Sequence, residues 1–160
     1  MPAPVTTDLV WSTVEKQPFG VLAFVTPRGE ARSAGIVYVV EDRTFLISTD
    51  DDSWKAKHIQ GNPNVSLTVT MPKRLPFLPF FKIPAAVATC QGKAEILTVD
   101  EVDPKTLEQL FKGLELTDQK RADTRVIKVI PTGDFVTYGV GVSLMTMRNP
   151  EEASGRAPVS

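Results

Sequence analysis

Between Phe19 and Thr49 the chain sets three strand-like runs end to end with almost nothing between them. Phe19 to Thr26 is nearly continuously apolar, Pro27-Arg28-Gly29-Glu30 reads as a turn, Ala31 to Val40 is a second run, and Glu41-Asp42-Arg43 turns the chain into Thr44 to Thr49. A parallel pair needs a crossover of about a dozen residues, which turns this short cannot supply. The three runs are therefore predicted to be antiparallel neighbours, the first two a hairpin of buried strands.

The third run stops at Ser48-Thr49, and Asp50-Asp51-Asp52 leads into Ser53-Trp54-Lys55-Ala56-Lys57-His58-Ile59, which reads as a helix. Ser53 is placed to cap it, and Ala56 and Ile59, three apart, give it one apolar face. Gly61-Asn62-Pro63 ends the helix, and Val65, Leu67 and Val69 then alternate with Ser66, Thr68 and Thr70 as in a strand with one wet face. A strand end, a capped helix start and two lysines can hold a phosphate monoester, because free N–H groups and ammonium groups converge there. The same lysines also suit a solvated helix face.

Elsewhere, Thr7 is a candidate cap for a helix carrying Val10, Trp11 and Val14, expected to lie across a barrel mouth. Pro72, Pro76, Pro79 and Pro84 exclude a central strand or helix interior, yet Leu75, Phe77, Leu78, Phe80 and Phe81 are too apolar for an ordinary loop. That stretch suits packing on the barrel or a second subunit, a lid forming an apolar wall beside a planar ligand, or transient membrane contact. Ala86 to Leu97 reads as a long strand. Asp103-Pro104 opens a helix whose Leu107, Leu110, Phe111 and Leu114 share a face. Arg125 to Ile130 and Phe135 to Tyr138, joined by Pro131-Thr132-Gly133-Asp134, read as a closing hairpin. Residues 149–160 read as a mobile tail. The fold expected is mainly β (α+β), an antiparallel barrel of six to seven strands with two to three flanking helices, forming one domain over 1–148.

With 18 basic and 19 acidic residues the chain shows no electrostatic footprint for nucleic acid. A single cysteine, Cys90, excludes an internal disulfide and suits a reducing cytoplasm, and one Cys with one His cannot build a zinc site. The N-terminus lacks a signal-peptide pattern and no apolar run approaches a membrane span, so a cytoplasmic protein without stable membrane insertion is expected. The three adjacent aspartates read as a solvated cap, and no metal is assigned.

The run Ser48-Thr49, Ser53-x-Lys55-Ala56, Asn62-Pro63-x-Val65-Ser66-Leu67 resembles the flavin-phosphate segment of the pyridoxamine 5'-phosphate oxidase-like, FMN-binding split-barrel superfamily, and the likeness extends over Phe19 to Gly139. The resemblance implies a split barrel in which Thr49, Ser53 and Lys55 hold the flavin phosphate, with Ser48 nearby and Lys57 a further candidate. It also implies that Arg32 and Ser33, treated as one site, aim at the phosphate, and that Ala34 to Val37 present backbone to the ring. Cys90-Gln91-Gly92-Lys93-Ala94-Glu95 is similar to the superfamily's barrel and dimer strand. A homodimer with flavin at the subunit interface is implied, Tyr138 with Val136 and Thr137 facing the partner's flavin.

The chain departs from the classical oxidase pattern at three places. Trp54 stands where a second basic residue precedes the helix lysine, Tyr38 stands where the second strand carries a lysine, and Gly139-Val140-Gly141 replaces the Arg-x-His substrate signature. The resemblance thus implies weakened FMN binding and an activity other than oxidation of pyridoxine phosphate. An FMN-dependent oxidoreductase acting on a small planar substrate is the leading expectation. An F420-dependent reductase, a non-catalytic flavin- or haem-binding protein, and a structural dimer with an empty site remain alternatives. No catalytic residue is assigned, and His58 is read as structural or solvent-facing.

Overall fold

The computed structural model describes residues 4–73, 77, 80 and 83–160. The strands are β1 (Phe19–Val25), β2 (Ala31–Val37), β3 (Val39–Glu41), β4 (Thr44–Asp50), β5 (Asn64–Met71), β6 (Ala86–Thr98), β7 (Thr124–Tyr138) and β8 (Ser154–Pro158). The helices are α1 (Thr7–Val14), α2 (Trp54–Gly61), α3 (Pro104–Leu110), α4 (Asp118–Asp123) and α5 (Pro150–Ala153). Every pairing is antiparallel, in the order β2-β1-β5-β6-β7-β4-β3, with β8 added beside β7. This is the expected mainly β split barrel, with more short helices than the sequence suggested.

The run from Ala31 to Val40 is broken at Tyr38. Consecutive strands β2 and β3 lie at opposite ends of the sheet order, so the first three runs are not one set of antiparallel neighbours: β1 pairs with β2 and β3 with β4, and the chain crosses the gap between the sheet edges at Tyr38. Tyr38 is buried, donates its hydroxyl to the Val14 carbonyl of α1, and meets Phe45 edge-on at 5.2 Å. Trp11 of α1 lies 5.1 Å from both Phe45 and Phe135. These aromatics, with Leu22, Phe24, Leu67 and Ile127, form the barrel core. The cap of α1 is Thr6, whose hydroxyl accepts from the Leu9 amide at 3.2 Å, while Thr7 instead donates to the Pro158 carbonyl at 2.7 Å.

Other expectations are corrected. The first hairpin is only half buried: the outward positions of β1 and most of β2 are exposed. Arg125 to Tyr138 is one strand rather than a hairpin. Thr89 pairs with Val136 and Gln91 with Thr132, so Gly133-Asp134-Phe135 bulge opposite Cys90 alone, with Gly133 at φ +71°. The bulge divides β7 into a half that pairs with β4 and a half that pairs with β8.

The tail is also ordered. Asn149 caps α5, β8 pairs with β7 from Asp134 to Tyr138, and Ala153, Ala157 and Val159 are buried. Helix α3 is shorter than its apolar pattern, because Lys112 and Gly113 adopt positive φ and the Gly113 amide closes on the Glu108 carbonyl at 2.8 Å. Leu114 beyond this stop is 75% exposed. Of the proline-rich apolar stretch, Leu75, Leu78 and Phe81 lie outside the described residues, and Phe77 and Phe80 are exposed. Among the described residues no helix is long and apolar enough to cross a membrane.

Candidate functional site

Strand β4 buries Phe45, Leu46 and Ile47, then emerges from the core at Ser48, Thr49 and Asp50. Its last residue still pairs with Thr124 of β7, so the turn that follows starts from a fixed point. The Ser53 amide closes that turn on the Asp50 carbonyl at 3.1 Å, and α2 begins. Ala56 and Ile59 bury the inward face of α2 against the barrel, which orients its first turn toward the end of β4.

Here Thr49 donates its hydroxyl to Ser53 Oγ at 2.8 Å, and Ser53 Oγ also accepts from the Ala56 amide at 3.2 Å. A serine hydroxyl carries one proton and two acceptor sites. With both acceptor sites engaged, the Ser53 proton is left to donate outward. Helix geometry also leaves the Trp54 and Lys55 amides without intrahelical acceptors. Ser48, Thr49, Asp50, Ser53 and Lys55 line a cavity of about 260 Å³, closed on its other side by Phe111, Lys120 and Thr124. Hydroxyl donors, amides and ammonium groups around so small an opening suit a tetrahedral anion rather than a planar ring.

All three aspartates are exposed, and two of them also take partners. Asp50 lies 3.3 Å from Lys120 Nζ, Asp51 lies 3.0 Å from Arg125 Nε, and the Asp51 amide donates to the Asp123 carbonyl at 2.8 Å. Together they tie α4 to the turn. Among the described residues no group of three or more His, Cys, Asp or Glu is placed to hold a metal ion.

A sequence profile of the pyridoxamine 5'-phosphate oxidase family matches residues 7–133. This chain belongs to that family. No curated protein matches it. Among solved structures, General Stress Protein 26 from Bacillus anthracis str. Sterne is similar at 22% identity, covering 82% of this chain and 91% of that one, with a TM-score of 0.58. An F420 reductase is similar at 24% identity over 78% of this chain and 93% of that one, TM-score 0.55. A heme binding protein from Mycobacterium smegmatis is similar at 13% identity over 99% of this chain and 60% of that one, TM-score 0.67. At such identities these likenesses establish the shared fold.

Of the residues that the family resemblance implicated, the fold brings Ser48, Thr49, Ser53 and Lys55 together and leaves the others outside the cavity lining. Lys57 is exposed on α2, and residues two apart on a helix do not share a face. Arg32 lies opposite Phe24 on β2, exposed and paired with Glu30 at 2.9 Å. Ser33 is exposed beside it, and Ala34 is half-buried against the core. Tyr138 donates its hydroxyl to the Met147 carbonyl at 2.7 Å.

Thr137 is buried on the inner face, so strand alternation prevents it from facing outward with Val136 and Tyr138. In the strand that resembled the family's dimer element, a Cβ on Gly92 would fall 2.7 Å from the Ile130 carbonyl oxygen, so only glycine fits. His58 packs with Phe24 and Trp54, ring centroids 6.1 Å from each. Phe111, Lys120 and Thr124 were not read as site residues. Their positions follow from the end of α3, from α4 and from the start of β7, more than forty residues beyond the phosphate-like segment, and no spacing within that segment points to them.

Proposed function

We propose that this family member binds FMN through its phosphate ester in the cavity between β4, α2 and α4, and works as a flavin-dependent oxidoreductase on a small planar substrate. The observation that carries the reading is the convergence of Ser48, Thr49, Ser53 and Lys55 on one small opening. When bound, the flavin would supply the redox chemistry. The chain's own residues would anchor it: Lys55 by charge, Ser53 by its free proton, and the first amides of α2 along the helix dipole. The absence of an Arg-x-His signature after Tyr138 argues for a substrate other than pyridoxine phosphate. F420 also carries a phosphate that such a cavity would accept, so it belongs in the same test.

The homodimer belongs to this proposal. Gly35, Val21, Thr68, Thr89, Val136 and Arg156 form one row across six strands on the outer sheet face, by successive register pairs. Phe19, Val21, Val37 and Val136 on that face are 51%, 39%, 58% and 47% exposed. A broad face of apolar and small side chains suits a second copy of the chain. In this proposal the flavin ring lies at the interface between the two copies.

The test is the visible spectrum after FMN is added and free ligand removed by desalting. Wild type is expected to retain a protein-shifted flavin spectrum. Lys55→Ala with Ser53→Ala should lose it, since a charge-assisted contact contributes about 1.5–3 kcal/mol. Losing the Ser53 cap should cost the fold about 1 kcal/mol, leaving the circular dichroism spectrum native. Equal flavin retention by the double variant would refute the site. Retention of F420 without FMN would move the proposal to the deazaflavin.

A further inference from the structure

Lys55 is preceded in α2 by Trp54, so the helix entry brings one ammonium to the cavity lining. Trp54 is uncharged and cannot supply a second cation. Its ring lies 5.2 Å from Phe24 and 6.1 Å from His58, and Lys55 Nζ sits 5.6 Å from the ring centroid. A phosphate monoester carries close to two negative charges at neutral pH, which Lys55 alone does not balance.

A second ammonium lines the same cavity, and it comes from a different part of the chain. We propose that Lys120 of α4 is a phosphate-binding residue of this site, the cation that the α2 segment lacks. The inference rests on the FMN reading above and adds to it a residue that nothing in the phosphate-like segment contains.

Two further observations and the chemistry of an ammonium support this role. First, α4 is not free to drift. The Asp51 amide bonds the Asp123 carbonyl at 2.8 Å, Arg125 pairs with Asp51 at 3.0 Å, and Thr124 donates its hydroxyl to the Lys120 carbonyl at 2.6 Å. The Lys120 backbone is thereby held to the turn that leads into α2.

Second, the ammonium is engaged only loosely. Its partner Asp50 is 3.3 Å away, longer than the 2.7–2.9 Å typical of a charged N–H···O bond, and the two side chains are 54% and 67% exposed. An ion pair this exposed binds its partners weakly. Third, an ammonium has three donors. One can stay on Asp50 while another meets a phosphate oxygen, so Asp50 would steer Lys120 over the cavity instead of competing for it.

The comparison of FMN with riboflavin tests this, because riboflavin lacks the phosphate. Dissociation constants would be measured by flavin fluorescence quenching for wild type, Lys120→Ala and Lys120→Arg. Wild type is expected to bind FMN more tightly than riboflavin. Lys120→Ala should weaken FMN by about 10- to 100-fold, leave riboflavin unchanged, and flatten the salt dependence of FMN binding. Lys120→Arg, which keeps the charge, should retain most of the affinity.

Unchanged FMN affinity in Lys120→Ala would overturn the role of Lys120 and leave the FMN reading intact. Equal weakening of FMN and riboflavin would also overturn it, by showing that Lys120 acts on the fold. Failure of wild type to prefer FMN over riboflavin would overturn both. Since Lys120 is on the surface of α4, thermal unfolding midpoints of the three proteins are expected to agree closely.

Discussion

At the scale of single residues, Tyr38 serves the core at the point where the strand run breaks between β2 and β3. Here a phenol sits in the bend between β2 and β3, its hydroxyl on the Val14 carbonyl and its ring against Phe45. Burial raises its pKa above the ordinary 10.0, and burial likewise pushes the Cys90 thiol from 9.0 up to about 12. Both groups hold their protons more tightly folded than unfolded. Their contribution to stability is therefore complete below the unfolded pKa and declines as pH rises past it. Urea midpoints should be flat to about pH 9 and fall beyond, first through Cys90 and then, above about pH 10, through Tyr38. Tyr38→Phe is expected to cost about 1 kcal/mol at neutral pH and to remove the tyrosine part of the alkaline decline. An unchanged slope in that variant would show that Tyr38 does not titrate with unfolding.

At the scale of elements, the bulge in β7 and the strand built from the tail belong together. Past Gly133 the strand turns its second half to a new neighbour, and β8 fills that position. The Trp11 indole donates to the Val159 carbonyl at 2.9 Å, and the Val159 amide donates to the Gly133 carbonyl at 3.0 Å, so the tail also closes hydrogen bonds of the core. A chain ending at Arg148 should lose about 3–5 kcal/mol. It uncovers the side chains that pack on Ala153, Ala157 and Val159 and leaves the Trp11 N–H unpaired. Comparing urea midpoints of the full and shortened chains checks this, and equal midpoints would mean that β8 is only an ornament of the sheet. The alternation of Gly155, Ala157 and Val159 inward with Ser154, Arg156 and Pro158 outward was present in the sequence. It was hard to read because the inward residues are so small. Helix α3 erred in the opposite direction: the apolar pattern continues to Leu114, but Gly113 had already ended the helix.

For the whole molecule, the decisive feature is the sheet order, and among the described residues one broad face carries no helix. Helices α1 and α2 bury their apolar residues in the barrel core, and α3 covers Leu46, Val126 and Leu97 on a separate patch. The row through Val21, Thr68, Thr89 and Val136 stays open. If this face joins two copies, sedimentation should give a dimer, and Val136→Glu should shift it to a folded monomer with weakened flavin retention. A dimer unaffected by that charge would place the interface elsewhere.

Local rules acting over a few residues were legible from the sequence alone. Ser53 caps α2 because a hydroxyl beside free amides has one favourable arrangement, Val65, Leu67 and Val69 face inward because a strand has period two, and short turns force the antiparallel hairpins β1-β2 and β3-β4. The clustering of Ser48, Thr49, Ser53 and Lys55 follows from the same short-range geometry, since all four lie on one strand end and the helix start after it. What tertiary structure alone decided depends on contacts between distant segments. It split the second run at Tyr38, straightened the closing hairpin into one bulged strand, bound the tail, and brought Phe111, Lys120 and Thr124 to the far side of the cavity. Neither the turn chemistry nor the hydrophobic period of one segment carries information about which remote segment will pack against it, and the wall opposite Lys55 is set by that packing.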